Sequence, residues 1–289
     1  MNLLLIHGIA QGGRNPKDLQ RDWLEALNKG LRKSSLTMPA NVNVLFPYYA
    51  DVLDRFVAQF DMPTGASVTA KGGAMDNDYA QFRAAMAEDM RKQAGIPVEQ
   101  VKQEAGDDVA AEKGPQNWKW VLATLRVLDK HLPGAGSWTI ETFLRDVFLY
   151  TRRPVVQAAI DKIVTDTMND SPTVIVGHSL GSVVAYNVAV NRKPSLTTLL
   201  LTVGSPLGLP AVRSNLVPLK NPSGDKGWTN AYDPQDVVAL YPLNKTHFGV
   251  TPAITNYGKV GNWTDNRHGI VGYLDDKRVA KTIHACLTT

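Results

Sequence analysis

Cysteine is almost missing from this chain of 289 residues: Cys286 stands alone, so no internal disulfide can form, as suits a reducing compartment. Long apolar runs are missing too. The run Leu3-Leu4-Leu5-Ile6 is far too short for a signal peptide or a membrane span and has no basic stretch before it. No other segment approaches the length that crosses a bilayer, so a soluble, cytoplasmic protein is the expectation. An excess of one charge is also lacking: 31 Lys and Arg stand against 27 Asp and Glu, a net +4, and the basic residues are scattered rather than striped. That argues against a nucleic-acid partner. There is no internal repeat, and neither a Cys/His nor a carboxylate cluster has metal-ligand spacing, so no metal and no organic cofactor is expected.

With 44% hydrophobic residues the chain can bury a large core, and its length suits one α/β domain carrying an insertion. Its most informative stretch runs from Val174 to Tyr186. Val174-Ile175-Val176, a buried-strand pattern, passes through Gly177-His178-Ser179-Leu180-Gly181 into a segment of helical character. This is the pattern of a serine held on a tight strand-to-helix turn. Such a turn strains the serine backbone, and side chains two residues to either side would strike the neighbouring strand and helix, which accounts for Gly177 and Gly181. The turn lifts the Ser179 hydroxyl above the sheet and sets the Leu180 N–H at the helix start, where donors are unpaired and negative charge is favoured. Gly-x-Ser-x-Gly does not recur; Val203-Gly204-Ser205-Pro206 lacks the first glycine.

Around that turn the chain alternates between strand and helix patterns. Strands are expected over 3–7, 42–46, 174–178, 198–203, 228–232 and 253–257, and helices over 18–31, 51–60, 79–93, 118–131, 137–150 and 154–168. A final helix over 271–287 is expected to break near Asp275. In the first helix Leu19, Trp23, Leu24, Leu27 and Leu31 share one face. Buried strands alternating with helices argue for a mostly parallel sheet flanked by helices. Residues 50–136 read instead as helices joined by connections over 63–78 and 104–116 with little to bury, a helical insertion suited to capping a site. The expected division is therefore a core of residues 1–49 and 137–289 and a cap of residues 50–136.

The chain resembles the α/β-hydrolase family, in particular its esterase and lipase-like members. The resemblance is carried by Ile6-His7-Gly8-Ile9, Gly177-His178-Ser179-Leu180-Gly181, Asp233-Pro234-Gln235-Asp236-Val237-Val238 and Asn266-Arg267-His268-Gly269. It implies an α/β-hydrolase fold lacking the first edge strands, because the chain starts at what corresponds to the third strand of the usual sheet. It implies a chain order of nucleophile, acid and histidine, with Ser179 as nucleophile. His7, His131 and His178 precede or adjoin the serine and fail that order. His284 reads as a helix-face residue, and His268, placed between the last strand and the last helix, is favoured as base over His247. For the acid, Asp236 before Val237-Val238 is favoured over Asp233, which can shape the turn before Pro234; Asp265 reads as a loop residue. The oxyanion hole falls to the backbone N–H groups of Leu180 and, by resemblance, Ile9, with Ala10 as the alternative. His7 reads as a loop-stabilising residue.

The implied activity is cleavage of carboxylic esters through an acyl-enzyme, on a small-molecule or lipid ester. A thioesterase or lipase would use the same triad. The alternative of another class is a non-catalytic binding protein on the same scaffold. Trp118, Trp120, Val121 and Leu125 suit an acyl chain if they face the site, and pack the cap on the core if they do not.

Overall fold

The computed structural model describes residues 1–60, 74–106, 118–131, 139–216, 218–223 and 227–288. Among these, six strands form one sheet, β1 (Asn2–Ile6), β2 (Asn43–Leu45), β3 (Thr173–His178), β4 (Thr197–Val203), β5 (Trp228–Ala231) and β6 (Thr255–Tyr257), in the order β2-β1-β3-β4-β5-β6. Every neighbouring pair is parallel. Every residue of β1, β3 and β4 is buried, as a parallel sheet covered on both faces requires. β2 and β6 are edge strands, each with one exposed and two half-buried residues.

The pleat sends alternate side chains of the central strands to opposite faces. Leu3, Leu5, Val174, Val176, Leu199 and Leu201 point to one face, where α1 (Pro16–Arg32), α11 (Ile270–Leu274) and α12 (Lys277–Leu287) cover them with Trp23, Leu27, Leu31, Leu274 and Ile283. Leu4, Ile6, Ile175 and Leu200 point to the other, under α2 (Ala50–Gln59), α6 (Ile140–Arg152), α7 (Pro154–Asp166) and α8 (Leu180–Val190). α8 is apolar on nearly all sides and correspondingly buried from Leu180 to Ala189. α1 starts cleanly because the Asn15 side chain accepts from Lys17 N and Pro16 stands at the first helical position; Lys29 and Arg32 occupy its negative end. The expected break at the C-terminus is real: the Asp276 side chain caps α12, accepting from Arg278 N and Val279 N.

The remaining helices are α3 (Ala74–Gln93), α4 (Val98–Ala105), α5 (Trp118–Lys130), α9 (Pro210–Arg213) and α10 (Lys245–Phe248). Of the two weakly structured connections expected over 63–78 and 104–116, residues 61–73 and 107–117 lie outside the described residues. Apart from Gly106, which ends α4, the rest is helical, since α3 begins at Ala74 and α4 runs to Ala105. α4 leaves little periodic signal because Val101 is its one buried residue. The beginning of the helix expected over 137–150 and residues 224–225 of the loop before β5 also lie outside the described residues. Phe82, Met86, Met90, Trp120, Val121, Leu125 and Leu128 share one apolar cluster with Leu4, Ile6 and Phe148, so the described helices of 74–131 are continuous with that face of the core. Arg83 and Tyr79 clamp Glu141 of α6, each at 2.7 Å. Among the described residues no helix is long and apolar enough to cross a membrane.

Candidate active site

β3 ends at His178 and α8 begins at Leu180, which leaves Ser179 alone to turn the chain from strand to helix at φ 54°, ψ −129°. A serine avoids that conformation, at a cost of about 1–3 kcal/mol, unless its surroundings impose it. They do. Ser179 N donates to Val203 O at 3.1 Å, and the Ser179 carbonyl accepts from Ser182 N at 2.9 Å and Ser182 Oγ at 2.6 Å. A Cβ on Gly177 would lie 2.5 Å from the Gly181 carbonyl oxygen, and one on Gly181 2.3 Å from those of Ile6 and His7, so both glycines are required by close approach. The loop after β1 presses on the turn from above: a Cβ on Gly8 would come within 2.8 Å of Ser179 Cβ. Ser179 is 1% exposed, and its Oγ has no hydrogen-bond partner among the described residues.

His268 and Asp236 reach each other from separate loops. His268 Nδ1 lies 2.7 Å from Asp236 Oδ2, and both side chains are buried. With Nδ1–H donating to the carboxylate, the tautomer is set and the basic lone pair is on Nε2. Asp236 is held from three sides: Oδ1 accepts from Val238 N at 2.9 Å, and Oδ2 also accepts from the Tyr273 hydroxyl at 2.5 Å. Asp233 does different work. Its Oδ1 accepts from Gln235 N and its Oδ2 from Asn262 N, each at 2.8 Å, which folds its own turn and ties it to the loop that leads to His268. His268 N donates to Asn266 Oδ1 at 3.0 Å, fixing that loop locally. Behind the pair, Gly204 takes φ +56°, and a Cβ there would sit 3.2 Å from both Asp236 Oδ2 and His268 Cε1.

The other histidines are occupied elsewhere. His7 Nδ1 lies 2.7 Å from Gly8 O, and its Nε2 accepts from Tyr49 N at 3.2 Å, an arrangement that needs a neutral ring. Burial lowers its pKa to about 4, so the residue acts as a neutral brace under the Gly8-Ile9 loop. His178 is also held uncharged by burial, with the nearby His268 ring acting in the same direction. Its Nε2 lies 2.7 Å from the His268 carbonyl oxygen, and the two rings are 4.8 Å apart. His247 sits on α10 with its ring 4.6 Å from that of Tyr241, and it does not line the cleft that holds Ser179 and His268. His131 and His284 do not line it either.

That cleft measures about 330 Å³. Ser179, His178 and His268 line it together with apolar Ile9, Leu19, Trp23 and Ile270 and polar Gln11, Arg14, Asp22 and Asn266. Leu180 follows Ser179 as the first residue of α8, and Ile9 and Ala10 also line the cleft, Ala10 in the left-handed region at φ 56°. Among the described residues, none from the helices of 50–131 lines the cleft. Trp120, Val121 and Leu125 are buried in the apolar cluster instead; the side chain of Trp118 lies outside the described residues. No group of three or more His, Cys, Asp or Glu side chains among the described residues is arranged to hold a metal ion.

No family model, no curated protein and no solved structure matches the chain. The site therefore rests on its own geometry. Three of its contributors go unnoticed in the sequence: Tyr273 on the carboxylate, His178 on the His268 carbonyl, and Gly204 behind both. Tyr273 reads as one more core aromatic of the last helix, and nothing in its spacing marks it. For Gly204 a signal exists, because a glycine at the exit of a buried strand is the residue that admits positive φ where other groups crowd in.

Proposed function

We propose that the protein is a serine hydrolase of carboxylic esters built on an α/β-hydrolase core, with residues 50–136 as an insertion into it. The observation that carries the reading is Ser179. A buried, unpaired hydroxyl is held in a strained turn at the head of a helix, in one cleft with a histidine whose other nitrogen is committed to a buried carboxylate. Strain of this kind persists where function needs it. The parallel sheet order and the loops at the carboxyl ends of β1, β3, β4 and β5 agree with the fold reading.

In this reading Ser179 Oγ attacks the ester carbonyl while His268 Nε2 takes its proton; Asp236 holds the imidazole and balances the charge it gains. The negative oxygen of the tetrahedral intermediate meets the N–H groups of Leu180 and Ile9 or Ala10, and one such donor is worth about 3 kcal/mol of barrier. His268 returns the proton to the departing alkoxide. A water, deprotonated by the same nitrogen, then cleaves the acyl-enzyme and restores Ser179. The test is fluorophosphonate labelling with peptide mapping, followed by nitrophenyl esters of increasing acyl length. Stoichiometric label on Ser179 and ester turnover are expected; a folded protein with neither would be a binding protein on this scaffold.

A further inference from the structure

Tyr273 touches the site at its most buried point. Its ring is fully buried at the foot of α11, and its hydroxyl lies 2.5 Å from Asp236 Oδ2, the same oxygen that His268 Nδ1 meets at 2.7 Å. The direction of the first bond is fixed. Asp233 N–H already points to the Tyr273 oxygen at 3.3 Å, so the phenol proton has Asp236 as its acceptor. The phenol is held in its protonated form, its pKa raised far above the usual value first by burial and then by the charge of Asp236.

Two donors on one carboxylate oxygen share its charge. Asp236 is 0% exposed, so these bonds and that from Val238 N to Oδ1 stand in for hydration. Whatever stabilisation Oδ2 receives from the phenol is stabilisation it no longer draws from a charged imidazole. Resting on the hydrolase reading above, we propose that Tyr273 is a positioning residue of the Ser179, His268 and Asp236 site, which fixes the carboxylate against His268 and lowers the pH at which that imidazole becomes available as a base. Other charged or titratable groups near the pair are His178 from β3, its ring 4.8 Å from that of His268, and Asp233, whose charge bears on Tyr273; Arg267 lies 4.0 Å from Asp233. A change at Tyr273 leaves their number and charge intact.

The experiment is an NMR titration of the histidines in the full chain, labelled with nitrogen-15, comparing wild type with Tyr273→Phe. Losing a hydrogen bond to a buried charge should raise the midpoint of the His268 titration by about one pH unit. A ring-fluorinated tyrosine at 273, which keeps the ring and a more acidic hydroxyl, should move it downward; this second protein also serves if Tyr273→Phe does not fold. An unmoved midpoint, or shifts of the opposite sign, overturns the proposal, because a tyrosine that only fills space would not move a titration. Where ester turnover is measurable, the acid limb of kcat/KM should shift with the midpoint while KM stays near its wild-type value. Failure of the wild type to label with fluorophosphonate would remove the hydrolase reading, yet the titration would still decide the role of Tyr273.

Discussion

Asp236 Oδ2 and His268 Nδ1 lie 2.7 Å apart in a buried contact between residues 32 positions apart in the chain, and neither loop could hold that contact alone. The Asp236 loop is pinned by Val238 N and Tyr273, and the His268 loop by Asn266 and by His178 next to the serine. His268 is thus braced through its carbonyl by the residue that precedes Ser179.

Ser179→Ala should fold normally and lose both labelling and turnover. Ser179→Gly should also be inactive, but more stable than wild type by up to about 1 kcal/mol in urea unfolding, since glycine takes φ 54° without strain. A glycine variant less stable than the alanine variant would show that the turn is not strained.

His268→Ala should remove nearly all ester turnover with the protein still folded. His247→Ala, altering a ring outside the cleft, should leave turnover within about twofold of wild type. The reverse pattern would transfer the role of base to His247.

Asp236→Asn should cut turnover by several orders of magnitude, up to about 10⁴-fold as in serine proteases, because an amide no longer fixes the imidazole tautomer. Asp233→Asn should instead lower Tm by about 2–4 °C, corresponding to roughly 1 kcal/mol, since it loses part of its hold on Gln235 N or Asn262 N. Melting curves and kinetics on both variants decide the matter; a folded, inactive Asp233→Asn beside an active Asp236→Asn would make Asp233 the acid.

His7 should make the fold acid-sensitive. Its folded pKa of about 4 lies below the usual 6.5, so its stabilising contribution is complete above the unfolded value and is lost as pH falls through the folded one. Between those limits the loss amounts to roughly 3 kcal/mol. Chemical unfolding of wild type and His7→Gln at pH 7 and pH 4.5 should show a shallower pH dependence in the variant. Equal losses would point to another group.

What the sequence determined by itself is local. The central strands announce themselves as short, mostly apolar runs, because a parallel sheet buried on both faces leaves little room for polar side chains, and α1 by its amphipathic spacing. The turn at Ser179 is equally legible, since its two glycines are demanded by contacts made within one strand-turn-helix unit and with the strand beside it. Between Asp233 and Asp236 the sequence offers only a preference; the choice between carboxylates two loops away from their partner depends on which one the fold aims inward, and Asp236 meets His268 while Asp233 caps its own turn. Tyr273, His178 and Gly204 belong wholly to the tertiary structure, because a hydrogen bond or close contact between residues tens of positions apart leaves no period and no motif in the chain. The packing of 74–131 is of the same kind: amphipathic helices state that they must bury a face, and only the assembled structure decides that one another and α6, rather than the cleft, receive it.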